Sequence, residues 1–222
     1  MIVVQCEFDD TVTAVDLGYG LREAFAPDGW TAMEEDFLAG RSSPEENIAR
    51  QFKLIKASKQ DIEDFVLGNV VLRPEFGEFV DYCRGVGLRL VIVSSGLDIY
   101  INLILGLLEL EDLEVHSGKA TIGSNGIDVV YSDPDGERIE SGLKEAYVKH
   151  YKEAGHTVVY VGQGLSDVAP AEAADFVIAR SSLAEHLTEQ GRPYDKFDTF
   201  QDVGKCLEEI RKQLGDTADG KQ

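Results

Sequence analysis

The sequence predicts an α/β fold in which helices cover both faces of a parallel sheet and a helical segment is inserted after the first strand. Apolar runs rich in β-branched residues, typical of buried strands, lie at 2–8, 88–95, 157–162 and 175–179. Amphipathic helical patterns separate these runs, and that alternation is typical of a parallel sheet. The interval 13–72 is far longer than one crossover requires, and its pattern is helical without a strand.

Two helix starts are visible within the long interval. Residues 43–46 (SPEE) supply an N-cap serine, a proline at the first helical position and a capping-box glutamate. Residues 58–61 (SKQD) begin a second helix in the same way. We therefore predict a helical cap domain over 13–72, inserted into a core domain made of 1–12 and 73–222.

The later elements follow from turn and helix signals. Pro74 stands at the first turn of one helix, and the helical pattern that starts at Leu143 closes on Gly155. Turn residues flank a β-rich stretch within 113–137, which predicts a small antiparallel excursion. The last residues, 215–222, have nothing to bury and are predicted to be frayed.

Charge and hydropathy limit the classes of partner. The 222 residues include 41 acidic and 21 basic side chains, which gives a formal net charge of −20. Such a charge repels phosphate backbones and anionic membranes, so neither nucleic acid nor membrane is an expected partner. No apolar run approaches the ~20 residues needed to cross a bilayer, and no secretory leader is evident. We expect a soluble, cytoplasmic protein, and its oligomeric state is left open.

The cysteines and histidines show no metal-binding or disulfide pattern. The cysteines are three in number and far apart, and they are expected to be small buried hydrophobes: Cys6, Cys83 and Cys206. The histidines lack the paired spacing of a metal site, and they are expected to be hydrogen-bonded or solvated: His116, His150, His156 and His186.

Polar residues cluster where the predicted strands end. Ligands of a parallel α/β sheet bind beyond the carboxyl ends of its strands, so these positions are the candidates for a site. Taken singly, each has a structural explanation, because strand-end carboxylates often cap helices and a lone lysine is usually solvated. The candidates in chain order are Glu7, Asp9, Asp10 and Thr11, then Ser94, Ser95 and Gly96, then Lys144, and finally Gln163 and Asp167.

Together these residues resemble the four motifs of the haloacid dehalogenase (HAD) superfamily of phosphotransferases. The motif D-x-D-x-T, the motif-two serine, the lysine and the motif G-D-x-x-x-D are matched in order by Glu7-x-Asp9-x-Thr11, Ser94, Lys144 and Gly162-Gln163…Asp167. The stretch 175–203 resembles the phosphoserine-phosphatase-like branch. Within that branch, the chain is most similar to phosphatases that act on the methylthiopentane diketo or enol phosphates of methionine salvage. The resemblance spans essentially the whole chain.

The resemblance implies a three-layer Rossmannoid core, an α-helical cap, and Mg²⁺-dependent hydrolysis of a small phosphorylated metabolite. Phosphoryl transfer through an acyl phosphate needs an in-line carboxylate nucleophile, an acid for the leaving oxygen, and positive charge on the other phosphate oxygens. The implied catalytic residues are Glu7, Asp9 as the general acid/base, and Lys144. The implied phosphate ligands are Thr11, Ser94, Ser95, Gly96 and Lys144. The implied metal-site residues are Glu7, Asp9, Gln163 and Asp167.

Two positions depart from the superfamily pattern. Glu7 stands at the nucleophile position, and its carboxylate extends about 1.5 Å farther than that of aspartate, roughly one C–C bond. Gln163 stands where the fourth motif has aspartate, and it keeps an oxygen but removes a negative charge that favours Mg²⁺. The chain is therefore predicted to be either a phosphatase with a degenerate and weak site or a pseudophosphatase that binds a phosphorylated ligand without turnover.

Five residues of the predicted cap are candidates for choosing the substrate. Asp16 lies nine positions after Glu7, where phosphoserine phosphatases carry an acid for the substrate amine, although an acid there can equally cap a helix. The other candidates are Trp30, Glu34, Arg41 and Arg50. Their spacing identifies no substrate.

A dinucleotide site is the competing interpretation of Gly162-Gln163-Gly164. The sixth position of the fingerprint is Asp167 instead of a small residue, and residues 181–182, two serines, stand where the ribose-binding acid would be. The sequence does not favour this interpretation.

Overall fold

The computed structural model describes residues 1–27 and 29–219, and its centre is one eight-stranded sheet. The strands are β1 Ile2–Cys6, β2 Arg89–Leu97, β3 Glu114–Gly123, β4 Gly126–Ser132, β5 Arg138–Ile139, β6 Thr157–Gly162, β7 Phe176–Ala179 and β8 Asp195–Lys196. Their order across the sheet is β5-β4-β3-β2-β1-β6-β7-β8. Across the sheet, the neighbouring pairs from β3 to β8 are parallel, so the predicted α/β fold is confirmed.

Ten α-helices are present in the described part of the chain. They are α1 Leu17–Phe25, α2 Trp30–Leu38, α3 Pro44–Phe52, α4 Lys59–Asn69, α5 Phe76–Gly85, α6 Asp98–Leu107, α7 Leu143–Glu153, α8 Val168–Ala173, α9 Ser181–Glu189 and α10 Phe200–Asp219, with a 3₁₀ turn at Leu165–Asp167. None of the helices in the described residues is both long and apolar enough to span a membrane.

The four strands predicted from apolar runs correspond to β1, β2, β6 and β7. Their side chains are almost wholly buried, as expected for a sheet that is covered on both faces. β2 continues two residues beyond its predicted end to Leu97, and its register with β3 shifts between Val93 and Leu97.

The β-rich stretch pairs antiparallel as predicted, but it is not a separate excursion. Residues of β3 pair with β4, with Lys119 opposite Val130. The first residues of β3 also pair in parallel with β2, with Glu114 opposite Val91. Since β3 is ten residues long, it can serve both neighbours, and the hairpin extends the main sheet.

Helices α1 to α4 fill the interval predicted to form the cap. Ser43 caps α3 by accepting a hydrogen bond from the Glu46 amide at 3.0 Å. Ser58 and Asp61 form a reciprocal capping box at the start of α4. An isolated antiparallel bridge between Thr13 and Leu72 joins the two ends of the interval. The chain therefore leaves and re-enters the core through two adjacent backbone segments.

The C-terminal helix is longer than predicted. α10 runs from Phe200 through Asp219, so residues 215–219 are helical where fraying was expected. Ile210 is buried and none of residues 211–215 is, while the helix continues beyond them. The remaining part of that prediction, 220–222, lies outside the described residues.

The cysteines are free, and two of them are core residues. Cys6 on β1 and Cys83 on α5 are buried, whereas Cys206 on α10 is partly exposed. Burial raises the pKa of the Cys83 thiol to about 12, so it stays protonated at neutral pH. Two of the three cysteines are thus the small buried hydrophobes that were predicted.

Candidate active site

The carboxyl ends of β1, β2 and β6 meet at one cavity of about 130 Å³. Glu7 and Asp9 follow β1, and Ser95 and Gly96 lie near the end of β2. Gln163 follows β6, with Asp167 four residues later, and Lys144 reaches the same space from the first turn of α7. The predicted convergence of the strand-end residues is confirmed.

Glu7 is a buried carboxylate held at both oxygens. Its Oε1 accepts a 2.5 Å hydrogen bond from the Ser94 hydroxyl, and its Oε2 lies 2.9 Å from Lys144 Nζ. The side chain is only 8% exposed. Burial raises the pKa of Glu7, and the positive charge of Lys144 only partly opposes that rise.

Lys144 is a buried cation between two carboxylates, not a solvated surface lysine. Its Nζ lies 2.5 Å from Asp167 Oδ1 and 2.9 Å from the Ser166 hydroxyl, in addition to its pairing with Glu7. Burial alone would lower the pKa of Lys144, but the charges of Asp167 and Glu7 outweigh it and raise that pKa. Lys144 therefore remains charged over the whole neutral range.

Asp167 pairs with Lys144, and both oxygens of its carboxylate accept further hydrogen bonds. Oδ1 also accepts the Tyr160 hydroxyl at 2.6 Å, and Oδ2 accepts the Gln163 and Gly164 amides at 2.8 and 2.9 Å. Burial would raise the pKa of Asp167, but Lys144 outweighs it and lowers the pKa. A Cβ at Gly162 would lie 2.8 Å from Asp167 Oδ2, so glycine is needed there for the approach of this carboxylate. The close approach of Asp167 therefore explains the glycine at position 162 without a bound dinucleotide.

Asp9 joins the strand end to the first helix of the cap. Its Oδ1 accepts the Leu17 amide at 3.0 Å, and its Oδ2 accepts the Tyr100 hydroxyl at 2.5 Å. Burial, and next the negative charge of Asp16, raise the pKa of Asp9 well above its usual value. A carboxyl group with a raised pKa holds its proton to higher pH, which suits a general acid. Gly96 permits this arrangement, because a Cβ there would lie 2.7 Å from Asp9 Oδ2.

The implied phosphate ligands are only partly brought to the cavity. Ser95 and Gly96 line it, while Ser94 stands behind Glu7 and its hydroxyl also accepts the Gly96 amide at 3.0 Å. Thr11 is completely buried and is not among the described residues that line the cavity. The backbone turns back after Phe8, whose carbonyl accepts a hydrogen bond from the Thr11 amide. Thr11 therefore lies behind the residues that line the cavity.

Two of the five cap candidates line the cavity. Asp16 caps α1 through a 2.6 Å hydrogen bond from the Tyr19 amide and also faces the cavity, so its structural and functional interpretations are compatible. Glu34 lines the cavity from α2, and its Oε2 accepts the side-chain amides of Asn47 and Gln51, each at 2.9 Å.

The other three cap candidates do not reach the cavity. Trp30 is buried against the edge of the Tyr19 ring, with centroids 5.2 Å apart. Arg41 is 62% exposed and pairs with Asp36 at 2.7 Å. Arg50 is exposed and lies 4.0 Å from Glu46, four residues earlier on α3. These three residues were chosen by their position along the chain, but in the folded protein their side chains contact other residues and do not line the cavity.

Several residues that line the cavity were not candidates from the sequence. They share no sequence motif. Four of them have the spacing of one face of α3, namely Pro44, Asn47, Ile48 and Phe52. The others are Gly18, Arg22, Phe37, Tyr100 and Ser166. Glu45, also not a candidate, is buried beside the site and its carboxylate accepts the amides of Gly142 and Leu143.

The donors fit Mg²⁺ in kind, and one of the four residues implied for the metal site, Gln163, is uncharged. Glu7 Oε2 is buried and, apart from its ion pair with Lys144, accepts no hydrogen bond from the described residues. Gln163 lines the cavity and adds an oxygen without charge. Among the described residues, no group of three or more histidine, cysteine, aspartate or glutamate side chains is arranged to hold a metal ion. Mg²⁺ prefers hard anionic oxygens, and the carboxylates of Glu7, Asp9 and Asp167 supply oxygens of that kind.

Comparison with known proteins agrees with this geometry. Residues 4–172 match the model of the haloacid dehalogenase-like hydrolase family. The chain belongs to this family. Over 217 residues it is 33% identical to the 2-hydroxy-3-keto-5-methylthiopentenyl-1-phosphate phosphatase of Brevibacillus brevis, covering 96% of this chain and 98% of the relative. Over 214 residues it is 31% identical to the protein of the same name from Geobacillus thermodenitrificans, covering 94% and 96%.

Solved structures with a similar fold include phosphoserine phosphatases. A substrate-bound complex superposes with a TM-score of 0.67 at 18% identity, covering 91% of this chain and 96% of the other. A phospho-aspartyl intermediate analogue superposes with a TM-score of 0.65 at 16% identity, covering 91% and 97%. At these identities the likeness establishes the HAD fold.

Proposed function

We propose that this HAD-family protein hydrolyses the phosphomonoester of a small metabolite. Its relatives are named as phosphatases of a methylthiopentenyl phosphate, and we propose a substrate of that kind. The observation that carries the proposal is the buried Lys144 ammonium, which lies between Glu7 and Asp167 at the strand ends. An ammonium ion and adjacent hydroxyl and amide donors are what a phosphate group requires. The cavity is smaller than the roughly 300–1,000 Å³ typical of ligand sites, which favours a small substrate.

The residues divide the reaction between them. Glu7 attacks the phosphorus, the bond to the ester oxygen breaks, and Asp9 delivers its proton to that leaving oxygen. Lys144 offsets the charge of Glu7 and of the phosphate throughout. Asp9 then accepts a proton from the water that hydrolyses the acyl phosphate, which regenerates the Glu7 carboxylate. Direct attack by a water activated at Asp9 is the alternative route.

Mg²⁺ would be held by the Glu7 carboxylate, the Asp9 carbonyl and the Gln163 amide, with Asp167 close by, and would supply positive charge to the phosphate oxygens. The neutral Gln163 lowers the affinity expected for the ion. Tyr100 and the Leu17 amide keep the Asp9 carboxyl in place whether or not the ion is bound.

A pseudophosphatase is the second candidate, and the hydrogen bonding of Glu7 favours it. Both oxygens of the Glu7 carboxylate are engaged, one by Ser94 and one by Lys144, and the longer side chain displaces the carboxylate from the aspartate position. A misplacement near 1 Å can reduce a rate on the order of 10²-fold. The protein would then bind a phosphorylated ligand and release it unchanged.

The test combines turnover and binding. Hydrolysis of a panel of small phosphomonoesters is measured with and without Mg²⁺, and binding of Mg²⁺ and inorganic phosphate is measured by calorimetry. We expect Mg²⁺-dependent release of phosphate by the natural protein. Phosphate binding without any turnover would select the pseudophosphatase, and the absence of both would refute the phosphate site.

Replacement of Lys144 tests the assignment of the anion site. Lys144→Met should weaken binding of inorganic phosphate at least about tenfold, because a charge-assisted contact is lost. Lys149→Met is the matched control, since Lys149 lies on the same helix but is 59% exposed and pairs with Glu145. Unchanged phosphate binding in a folded Lys144→Met variant would show that Lys144 is structural only.

A further inference from the structure

A groove adjoins the cavity where residues of α2 and α3 lie opposite the 3₁₀ turn and α8. Its volume is about 440 Å³, and it shares four lining residues with the cavity: Phe37, Pro44, Lys144 and Ser166. Phe37 and Pro44 belong to α2 and α3, whereas Lys144 and Ser166 belong to α7 and the 3₁₀ turn. The cavity and the groove therefore meet between these two sides of the molecule.

Apolar side chains form a continuous part of the groove lining. They are Phe37, Pro44, Leu165, Val168, Ala169 and Pro170. Leu165 is 52% exposed, and neither Leu165 nor Phe37 belongs to the hydrophobic core of the described residues. A single exposed leucine is ordinary on a protein surface, but several apolar side chains along one groove are typical of a binding site.

The charged side chains of the groove lining have partners within the chain. Among the described residues they are Glu45, Lys144, Glu145 and Glu172. Glu145 lies 2.6 Å from Lys149, and Glu172 lies 3.8 Å from Arg192. Glu45 and Lys144 take part in the buried contacts described above. Because three of the four are acidic, the groove disfavours a ligand tail that carries a carboxylate and favours a neutral, apolar one.

We propose that the groove binds the apolar tail of the substrate, so that the enzyme prefers phosphomonoesters with a short neutral chain, alkyl or thioether. This inference rests on the proposed phosphatase function, and it assigns Phe37 and Leu165 to the choice of substrate. With the phosphate at Lys144, a chain that continues past the residues shared by both spaces enters the groove. Burial of apolar surface there adds affinity, and the ring of Phe37 is suited to contact a methylene or sulfur group.

Calorimetry with alkylphosphonates, which are not hydrolysed, measures the contribution of the tail. The series from methyl- to pentylphosphonate is compared in the presence of Mg²⁺, and inorganic phosphate reports on the anion site alone. We expect pentylphosphonate to bind at least about tenfold more tightly than methylphosphonate, because each added methylene buries apolar surface. Butylphosphonate with a terminal hydroxyl or amine matches pentylphosphonate in length, and both should bind at least about threefold more weakly, because the polar end loses water.

Two pairs of variants locate the tail. Leu165→Asn should reduce the advantage of pentylphosphonate at least about threefold and leave inorganic phosphate binding unchanged, because Leu165 is exposed and does not line the cavity. Leu107→Asn is the matched control, since Leu107 on α6 is 58% exposed and does not line the groove. Phe37→Ser should reduce the same advantage, whereas Leu38→Ser, its 65% exposed neighbour on α2, should not.

An advantage of pentylphosphonate that both Leu165→Asn and Phe37→Ser retain would overturn the assignment of the groove. Tighter binding of the terminal amine would also overturn it and would indicate a cationic tail beside Glu145 and Glu172. Self-association that Leu165→Asn abolishes in sedimentation, without any effect of chain length on binding, would show that a second copy of the chain covers the groove. If inorganic phosphate binds but chain length has no effect, only this inference fails; if inorganic phosphate does not bind, the proposed function fails with it.

Discussion

At the scale of single residues, Glu7 and Gln163 distinguish this site from the motif it resembles, and they occupy one cavity. Glu7 contributes the carboxylate that Lys144 and Ser94 hold, and Gln163 contributes a neutral oxygen beside it. Both changes bear on the charge and reach of the groups that contact the phosphate and the metal. Their effects on turnover are therefore expected to depend on each other.

The double substitution Glu7→Asp/Gln163→Asp should hydrolyse a small phosphomonoester at least about tenfold faster than the natural protein, equal to ~1.4 kcal/mol of transition-state stabilisation. The first change restores the in-line reach of the nucleophile, and the second restores negative charge for Mg²⁺. Each single substitution alone should raise the hydrolysis rate by less than it does in the presence of the other. The measurement is kcat/KM with saturating Mg²⁺ for the four proteins.

The natural protein and a Gln163→Glu variant are informative controls for that comparison. The Gln163→Glu change would restore the charge but not the geometry, and it should recover less activity than Gln163→Asp does. A natural protein that already works at ordinary enzyme rates, and that the double substitution slows, would show that Glu7 and Gln163 serve a different chemistry.

At the scale of elements, α3 and α7 are connected through Glu45. Its carboxylate, near the start of α3, accepts the Gly142 and Leu143 amides at 3.2 Å each, at the N-terminus of α7. The negative charge there also interacts favourably with the helix dipole. Because α7 carries Lys144, this contact couples the position of α3 to the position of the site cation.

Glu45→Gln should lower the free energy of unfolding by about 1–2 kcal/mol, since the charge-assisted hydrogen bonds and the dipole interaction are weakened. It should also accelerate hydrogen exchange in 43–52. Denaturant unfolding and exchange mass spectrometry measure the two effects. Glu46→Gln, one residue later and partly exposed, is the matched control. Equal effects of the two substitutions would contradict the contact with α7.

A second set of contacts joins β2, β3 and α7 around Glu114. Arg89 lies 2.7 Å from its carboxylate, Tyr151 donates at 3.0 Å, and His116 lies at 2.9 Å and stacks on Tyr147. Burial raises the pKa of Glu114, but the hydrogen bonds from His116, Arg89 and Tyr151 outweigh it and lower the pKa. His116 is thus a hydrogen-bonded histidine, as predicted.

Glu114→Gln should destabilise the protein by ~1 kcal/mol at pH 7, and the difference should shrink as the pH falls below roughly 4. The sign follows because a lowered pKa in the folded state contributes stability above the unfolded pKa, and that contribution is lost as the folded carboxylate becomes protonated. Denaturant unfolding at several pH values measures it. Glu111→Gln, an exposed neighbour, should show no such dependence, and a constant difference for Glu114→Gln at all pH values would refute the assignment.

At the scale of the whole molecule, the net charge of −20 opposes the compact state through self-repulsion. Acidic residues outnumber basic ones by 41 to 21, so repulsion between acids exceeds what the surface ion pairs can offset. We expect the melting temperature to rise by at least about 2 °C between ~10 mM and ~0.3 M NaCl, as the Debye length shortens. Sorbitol at equal osmolality is the control for exclusion effects. A falling melting temperature would mean that attractive ion pairs dominate.

The sequence by itself determined the elements whose signals are local. Apolar runs located β1, β2, β6 and β7, and the caps at Ser43 and Ser58 located two helix starts, because both depend on neighbours along the chain. The rule that parallel strands end at one edge then brought Glu7, Asp9 and Gln163 to one site, and the family resemblance added Lys144 from a helix.

Only the tertiary structure decided which side chains meet across the fold. It made Lys144 a buried partner of Glu7 and Asp167, placed Arg22 in the cavity, and moved Arg41 and Arg50 out of it. It also joined β3 to the main sheet. The physical reason is that burial and ion pairing depend on the packing of residues that are distant in the chain. A local pattern records which face of its own helix a side chain occupies, but not what that face is packed against.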